Sequence, residues 1–438
     1  MELEDHPLTH IRRTRNWSMD DLARALRRHA RQLGLRSGAD RNRVWRWESR
    51  SAIPNAESQQ LLAGLLGVPL SVVTQLGWPY WLPAYHEPHP LSPSGSRAAL
   101  REIQATPMER RSFLVLPTGT LVGFAAHWAA VEPGRLDRAL SGHRVDPELL
   151  AWLEARTGEL RALSAAGGPM LRKLVDAHLA TAIDLIDQDN YPAAIHRRLH
   201  TVAADLAHQA GWIRFDAGQH APAQHRWEAA VHAAHQAGDR DLAAVALSDL
   251  AYQATWLARP ADAVAILEYA RSRTPAPATR ALLDVRRARA SAVLQDRTDV
   301  ERALLSAEAE LDRARPGTTP AVVSWMSASD ITADAGRCWL DLGDTTRART
   351  AIAGGLTELD PQRRRTQSIF LTYWAETTLH HHDAAAIATA AKTALDAATH
   401  TRAPRCIDLA HTLLARLDKR TEQPINDLRD YAHTLQPT

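Results

Sequence analysis

The residues best suited to specific chemical contacts lie in one short segment, residues 40–48, with the sequence DRNRVWRWE. The segment holds three arginines and one asparagine. Arg can donate two hydrogen bonds to O6 and N7 of guanine, and Asn can bridge N6 and N7 of adenine in the same way. A helix over this segment would bury Val44 and Trp47 and turn its polar side chains outward. Residues 40–48 therefore predict a short helix that reads base edges in the major groove of DNA.

The flanking residues predict the helices that would position this segment. Ser18 and Asp21 form a capping-box-like start, with Asp where Glu or Gln is usual, ahead of apolar residues at helical spacing. Pro54 begins a later helix with a leucine stripe. Residues 1–77 thus predict five short helices around one core: residues 10–15, the helix after Ser18, residues 41–48, the helix after Pro54, and residues 70–76.

This arrangement resembles the Cro/XRE-type helix-turn-helix family over residues 6–77. The shared pattern is an Arg in the first helix, a Leu-Ala pair in the second, and a Trp-Glu ending to the third. The resemblance implies that Arg12 pairs with Glu48 and holds the third helix in place. The resemblance also implies a set of DNA-contacting residues. They are Arg41, Asn42 and Arg46 at base-reading positions, Arg43 nearer the phosphates, and Ser18 and Arg50.

Three features depart from the family pattern. Met19 stands where a phosphate-contacting Gln is common, and Arg50-Ser51 replaces the common Gly before Pro54. Residues 31–39 also make a longer connection between the second and third helices than is usual. Each departure bears on the angle at which the third helix would enter the groove.

The distribution of charge separates DNA binding from a merely arginine-rich composition. The chain has 49 Arg against three Lys, a bias expected from GC-rich coding. Residues 1–50 hold twelve Arg and seven acidic residues, a net charge of +5, whereas the whole chain is +2 and the remainder is −3. Positive charge concentrated near the N-terminus favours nucleic-acid binding over a solvated basic face.

Length and cysteine content exclude several classes of protein. At 438 residues the chain predicts two or three domains. Two cysteines exclude a disulfide framework and a cysteine-rich metal site, which favours the reducing cytoplasm. No apolar run reaches the ~18 residues needed to span a bilayer. Residues 110–130 look like a twin-arginine export signal, but they lie far from the N-terminus and are interpreted as the opening of a buried helix.

The rest of the chain predicts a linker, an adaptor and a long repetitive part. Residues 78–96 are rich in Pro and aromatic residues, as in a linker stapled to a neighbouring surface. Residues 97–169 have an irregular helical pattern without assignable chemistry. Residues 170–438 break at intervals of roughly 38 to 46 residues, enough for two helices and a loop. The breaks are Gly218, Arg259-Pro260, Asp296-Arg297, Gly343-Asp344 and His382-Asp383.

Bulky and small residues recur around these breaks. Residues 190–435 resemble degenerate tetratricopeptide repeats, which implies a right-handed α-solenoid of helical hairpins. A helical bundle without repeats is the alternative, and in both cases the chain is all-α. The recurring residues are Trp212, Trp256 and Trp339 before a turn, and Ala223, Ala263 and Ala348 after it.

The sequence does not predict an enzyme. It has no Gly-rich phosphate loop, nucleophile elbow or His-Glu-x-x-His motif. Residues 380–382 are consecutive histidines, which diverge on a helix, so they are interpreted as a solvated turn. No cofactor and no metal are therefore expected. In a tetratricopeptide solenoid the first helix of each hairpin lines a groove, and the candidate groove residues are Asp249, Gln253, Arg287, Asp330, Asp334 and Tyr373.

The combination of the two parts resembles large actinobacterial regulators and, more distantly, the peptide-responsive RRNPP group. It implies a cytoplasmic transcription factor that binds a near-palindromic operator in double-stranded DNA as a homodimer. Its groove would take a peptide, a small-molecule effector or a protein partner, and no membrane contact is expected. The alternative is a protein-interaction scaffold in which the helix-turn-helix is a docking module.

Overall fold

The computed structural model describes residues 6–49, 52–68, 91–105, 147–163, 169–188, 191–315, 317–379 and 382–435, with residues 70, 73, 74, 78, 79, 81, 82 and 89 between them. The described part of the chain is helical and contains no β-strand, which confirms the all-α prediction. None of the helices in these ranges is both long and apolar enough to cross a membrane.

The N-terminal helices begin at polar caps that the sequence supplies. They are α1 (Pro7–Thr14), α2 (Met19–Gln32), α3 (Arg41–Glu48) and α4 (Ala56–Leu66). Ser18 and Asp21 form a full capping box at α2. Asp40 accepts a hydrogen bond from the Arg43 N–H at 2.7 Å, and Asn55 caps α4 in the same way. These caps satisfy N–H groups that a helix start otherwise leaves unpaired.

The N-terminal region, residues 6–82, is called the head from here on. Its core extends beyond the boundary predicted at residue 77. Trp81 and Leu82 are buried in the same apolar cluster as the inner faces of α1 to α4. The Trp81 indole N–H donates to Gln59 Oε1 at 3.0 Å, and Trp78 stacks on His6 with centroids 5.5 Å apart. The start of the predicted linker therefore packs as part of the head. The predicted fifth helix, residues 70–76, lies largely outside the described residues.

Three helices lead from the head to the repetitive region: α5 (Pro93–Ala105), α6 (Pro147–Leu163) and α7 (Pro169–Gln188). α5 begins inside the predicted linker. Their apolar faces join one continuous core with the helices that follow, so α5 to α7 pack on the first hairpin of the repetitive region. Residues 110–130, the export-like stretch, lie outside the described residues.

The repetitive region, hereafter the body (residues 193–434), is built of neighbouring helices that pack in pairs. Each of α8 to α16 packs on the helix that follows it, and contacts also join α8 to α10, α10 to α12, and α12 to α14. α8 additionally contacts α18. The body helices are α8 (Ala193–Asp216), α9 (His220–Ala237), α10 (Arg240–Trp256), α11 (Pro260–Arg273), α12 (Pro277–Val293), α13 (Arg297–Arg313), α14 (Ala328–Asp341), α15 (Thr345–Glu358), α16 (Arg364–Glu376), α17 (Ala384–Thr401), α18 (Pro404–Ala415) and α19 (Gln423–Thr434).

Four of the hairpins turn in the same way, at the breaks that the sequence predicts. The second residue after each first helix has a positive φ, and the N–H of the residue after it reaches back five residues to close the turn. The alanines that follow three of these turns, Ala223, Ala263 and Ala348, are fully buried. The positive-φ residues are Gly218 (72°), Ala258 (57°), Gln295 (63°) and Gly343 (81°).

Two glycines allow α14 and α15 to approach closely. A Cβ at Gly355 would lie 2.7 Å from the Cβ of Ala333 and 2.8 Å from the carbonyl oxygen of Ser329. A Cβ at Gly336 would lie 2.5 Å from Ile352 Cγ1. Because backbone atoms lie on the other side of the contact, a larger side chain at Gly355 would push the helices apart.

We predict opposite effects of alanine at two adjacent glycines of α15. Gly355→Ala should lower the free energy of unfolding by about 1–3 kcal/mol, since it overpacks the helix crossing. Gly354→Ala is the matched control: its Cβ would meet only Thr332 Cγ2 at 3.7 Å, so it should raise stability by up to about 1 kcal/mol through helix propensity. Urea unfolding followed by circular dichroism measures both, and stabilisation by both variants would contradict the close crossing.

Candidate nucleic-acid interface

A bidentate ion pair ties α3 to α1. Arg12 Nε donates to Glu48 Oε1 at 2.8 Å, and Arg12 Nη2 donates to Glu48 Oε2 at 3.1 Å. The third nitrogen, Nη1, donates to the carbonyl oxygen of Trp17 at 2.8 Å. The two side chains are only 11% and 5% exposed. These are the residues that the family pattern implied as a pair, and the bonds fix the last turn of α3 relative to α1.

The inner face of α3 is apolar and its outer face is polar. Val44 is fully buried and Trp47 nearly so, both within the core of the head. The other residues of the helix before Glu48 are exposed: Arg41, Asn42, Arg43, Trp45 and Arg46. α3 therefore carries exposed polar side chains on its outer face while its core contacts and ion pair hold it in place.

The connection before α3 positions its first turn. The Arg27 guanidinium on α2 donates to the carbonyl oxygen of Ala39, just ahead of the Asp40 cap. The guanidinium of Arg43 lies against Gly38, where an added Cβ would come within 2.9 Å of Nη1. The Arg43 side chain thus lies against the connection between α2 and α3.

Ser18, also implied to contact DNA, lies at the start of α2 rather than on α3. The Ser18 hydroxyl is engaged in the capping box: it accepts from the Asp21 N–H at 3.1 Å and donates to Asp21 Oδ2 at 2.6 Å. Hydrogen bonds from Ser18, together with nearby Arg24, hold the pKa of Asp21 below its usual value, which keeps the cap charged. Arg50 lies outside the described residues.

Two candidate groove residues lie one helical turn apart on α10 and are buried. Asp249 Oδ2 accepts hydrogen bonds from His208 Nε2 and from the Trp212 indole N–H, each at 2.7 Å. Asp249 Oδ1 lies 3.4 Å from Arg286 Nη2. Gln253 donates to the carbonyl oxygen of His220 at 2.9 Å. These contacts join α8, α9, α10 and α12, so both side chains serve packing between hairpins.

Arg289 brings two further groove candidates together. Its Nη1 donates to Asp334 Oδ1 at 2.6 Å and lies 3.5 Å from the hydroxyl oxygen of Tyr373. Burial raises the pKa of Tyr373 to about 12.

The remaining two groove candidates lie elsewhere in the body. Asp330 caps α14 and pairs with Arg363. Arg287 pairs with Asp299 and Glu268.

The body contains a buried ion pair that sequence inspection does not reveal. Asp216, the last residue of α8, accepts from Arg405 Nε at 2.8 Å and lies 3.0 Å from Arg365 Nη1. The Arg405 guanidinium packs over Phe215 and Trp212, 5.2 and 5.7 Å from their ring centroids. Burial alone would lower the pKa of Arg405, but Asp216 raises it above its usual value. The cation is thus held between a carboxylate and aromatic rings.

The described residues show no arrangement that could hold a metal ion, in the sense of three or more His, Cys, Asp or Glu side chains gathered together. Of residues 380–382 only His382 is described, in the turn before the α17 cap at Asp383. Cys338 and Cys406 are both buried and form no disulfide.

One comparison with known proteins concerns the head. A family model described as the SP15 N-terminal domain matches residues 8–76. The matched stretch spans α1 to α4, including the Arg12–Glu48 pair and the exposed face of α3. No curated protein matches the chain. The matched residues thus lie within the head and do not extend to the body.

We predict that breaking the α1–α3 ion pair opens the head. Glu48→Ala leaves the Arg12 cation buried without its carboxylate, which should lower the free energy of opening of α1 and α3 by about 3–5 kcal/mol. Hydrogen exchange with mass spectrometry on the full chain measures the loss of amide protection in residues 7–14 and 41–48. The double variant Arg12→Met/Glu48→Leu, which leaves no unpaired charge, should restore most of the protection. Unchanged exchange in Glu48→Ala would contradict the pair's role.

Proposed function

We propose that the protein is a sequence-specific regulator that binds double-stranded DNA through α3. One observation carries the proposal: Arg41, Asn42 and Arg46 are exposed on a short helix whose opposite face is fixed by Val44, Trp47 and Glu48. Arg and Asn are the side chains that read guanine and adenine bidentately in the major groove. The net charge of +5 in residues 1–50 supports the proposal because phosphate neutralisation supplies much of the affinity for DNA.

We further propose that the body is a right-handed, tetratricopeptide-like solenoid. The four equivalent turns, about 40 residues apart, support a repeated hairpin. Contacts between the first helices of successive hairpins, α8 to α10, α10 to α12 and α12 to α14, support stacking of those hairpins.

The body's proposed role is to pair two heads on a near-palindromic operator. A single short helix reads only a few base pairs, so two heads at a fixed spacing supply the specificity that one lacks. The side chains proposed for a groove, such as Asp249 and Gln253, are engaged in internal contacts. An effector at those residues would have to displace contacts within the protein, which favours a structural role for them.

The proposal is tested by selecting sites from random double-stranded DNA with the full-length protein. A sequence-specific regulator enriches one motif, and its affinity for that motif falls steeply between 50 and 200 mM salt as counterions are released. A protein-interaction scaffold enriches no motif. Failure to enrich any motif would therefore remove the proposed function and leave the scaffold alternative.

Alanine variants of α3 should separate base contacts from phosphate contacts. Arg41→Ala and Arg46→Ala should each weaken binding to the selected site by about 1–3 kcal/mol and relax the preference at one base pair. Arg43→Ala should weaken binding to all sequences equally and reduce the salt slope by about 1. Arg315→Ala, an exposed arginine of the body, is the control and should change neither. Uniform losses in Arg41→Ala and Arg46→Ala would mean that both contact only phosphates.

A further inference from the structure

An exposed tryptophan lies in the middle of the polar face of α3. Trp45 is 55% exposed, and within the described residues its indole makes no hydrogen bond and no ring contact. The neighbouring Trp47, by contrast, is 5% exposed and packs in the core of the head. Trp45 lies on the same outward side of α3 as the exposed polar side chains, so a partner that binds those side chains would also cover Trp45.

The surroundings of Trp45 define that partner. Residues three and four apart share one side of a helix, so Trp45 lies one turn after Arg41 and Asn42 and adjacent to Arg46. An apolar protein surface placed over Trp45 would also cover these donors and desolvate two guanidinium groups. The major groove of DNA offers acceptors for the donors, phosphates for the charge, and one apolar group, the C5 methyl of thymine.

We propose that Trp45 is a specificity-determining residue that contacts the methyl group of a thymine in the operator. The inference rests on the proposed function and adds a base preference that the Arg and Asn side chains do not supply. Four residues of helix rise about 6 Å, and successive base pairs are about 3.4 Å apart. The thymine is therefore expected within about two base pairs of the base that Arg41 reads.

The test replaces each thymine of the selected site, one at a time, by deoxyuridine, which removes only the methyl group. Dissociation constants are measured for the full-length wild type and for Trp45→Ala. One deoxyuridine position should weaken wild-type binding about fourfold, the factor that corresponds to losing one buried methyl contact. The same position should have no effect on Trp45→Ala. Trp152→Ala, at a 48% exposed tryptophan of α6, is the matched control and should keep the wild-type sensitivity.

Three outcomes would contradict the proposed contact between Trp45 and a thymine methyl group. If the wild type binds its site selectively but tolerates deoxyuridine at every thymine, or if the site contains no thymine, Trp45 does not read a methyl group and the proposed function stands alone. If the sensitivity persists in Trp45→Ala, another side chain reads the methyl group and the proposal is wrong. If no site is enriched at all, the proposed function fails and this inference fails with it.

Discussion

The outward face of α3 depends on the ion pair between Arg12 and Glu48. Both side chains are almost completely buried, and a charge removed from water in this way is stable only while its partner is present. The pair fixes the end of the helix, and Val44 and Trp47 fix its inner side. The direction of every exposed side chain on α3 follows from these contacts. Base recognition needs such a rigid support, because hydrogen bonds to base edges tolerate little displacement.

The body shows the opposite use of polar side chains. Two of its carboxylates face inward: Asp249 accepts from His208 and Trp212, and Asp216 pairs with Arg405 on a helix near the other end of the body. Breaking such a buried contact costs more than breaking a surface ion pair, so these groups hold hairpins together. The head thus carries exposed polar side chains on the outer face of α3, whereas the candidate carboxylates of the body form internal contacts.

Local patterns predicted the parts of the structure that local chemistry determines. The second helix of the head follows from the Ser18–Asp21 capping box and from apolar spacing, and the hairpin turns follow from breaks such as Gly218 and Gly343. The positive φ of Ala258 and Gln295 was not predictable, because these residues do not prefer that conformation. Neither was the contact between Asp216 and Arg405, which are 189 residues apart. The aromatic residues of 78–96 were expected to pack on a neighbouring surface, but the sequence did not predict that Trp81 belongs to the core of the head.

The central claim is that α3 enters the major groove, and methylation interference tests it most directly. Dimethyl sulfate methylates guanine at N7 in the major groove, the atom that an Arg fork contacts together with O6. On the selected site, the account predicts that methylation of particular guanines prevents binding of the full-length protein, and that Arg41→Ala or Arg46→Ala loses this sensitivity at one of them. Interference confined to adenine N3, in the minor groove, would contradict the account.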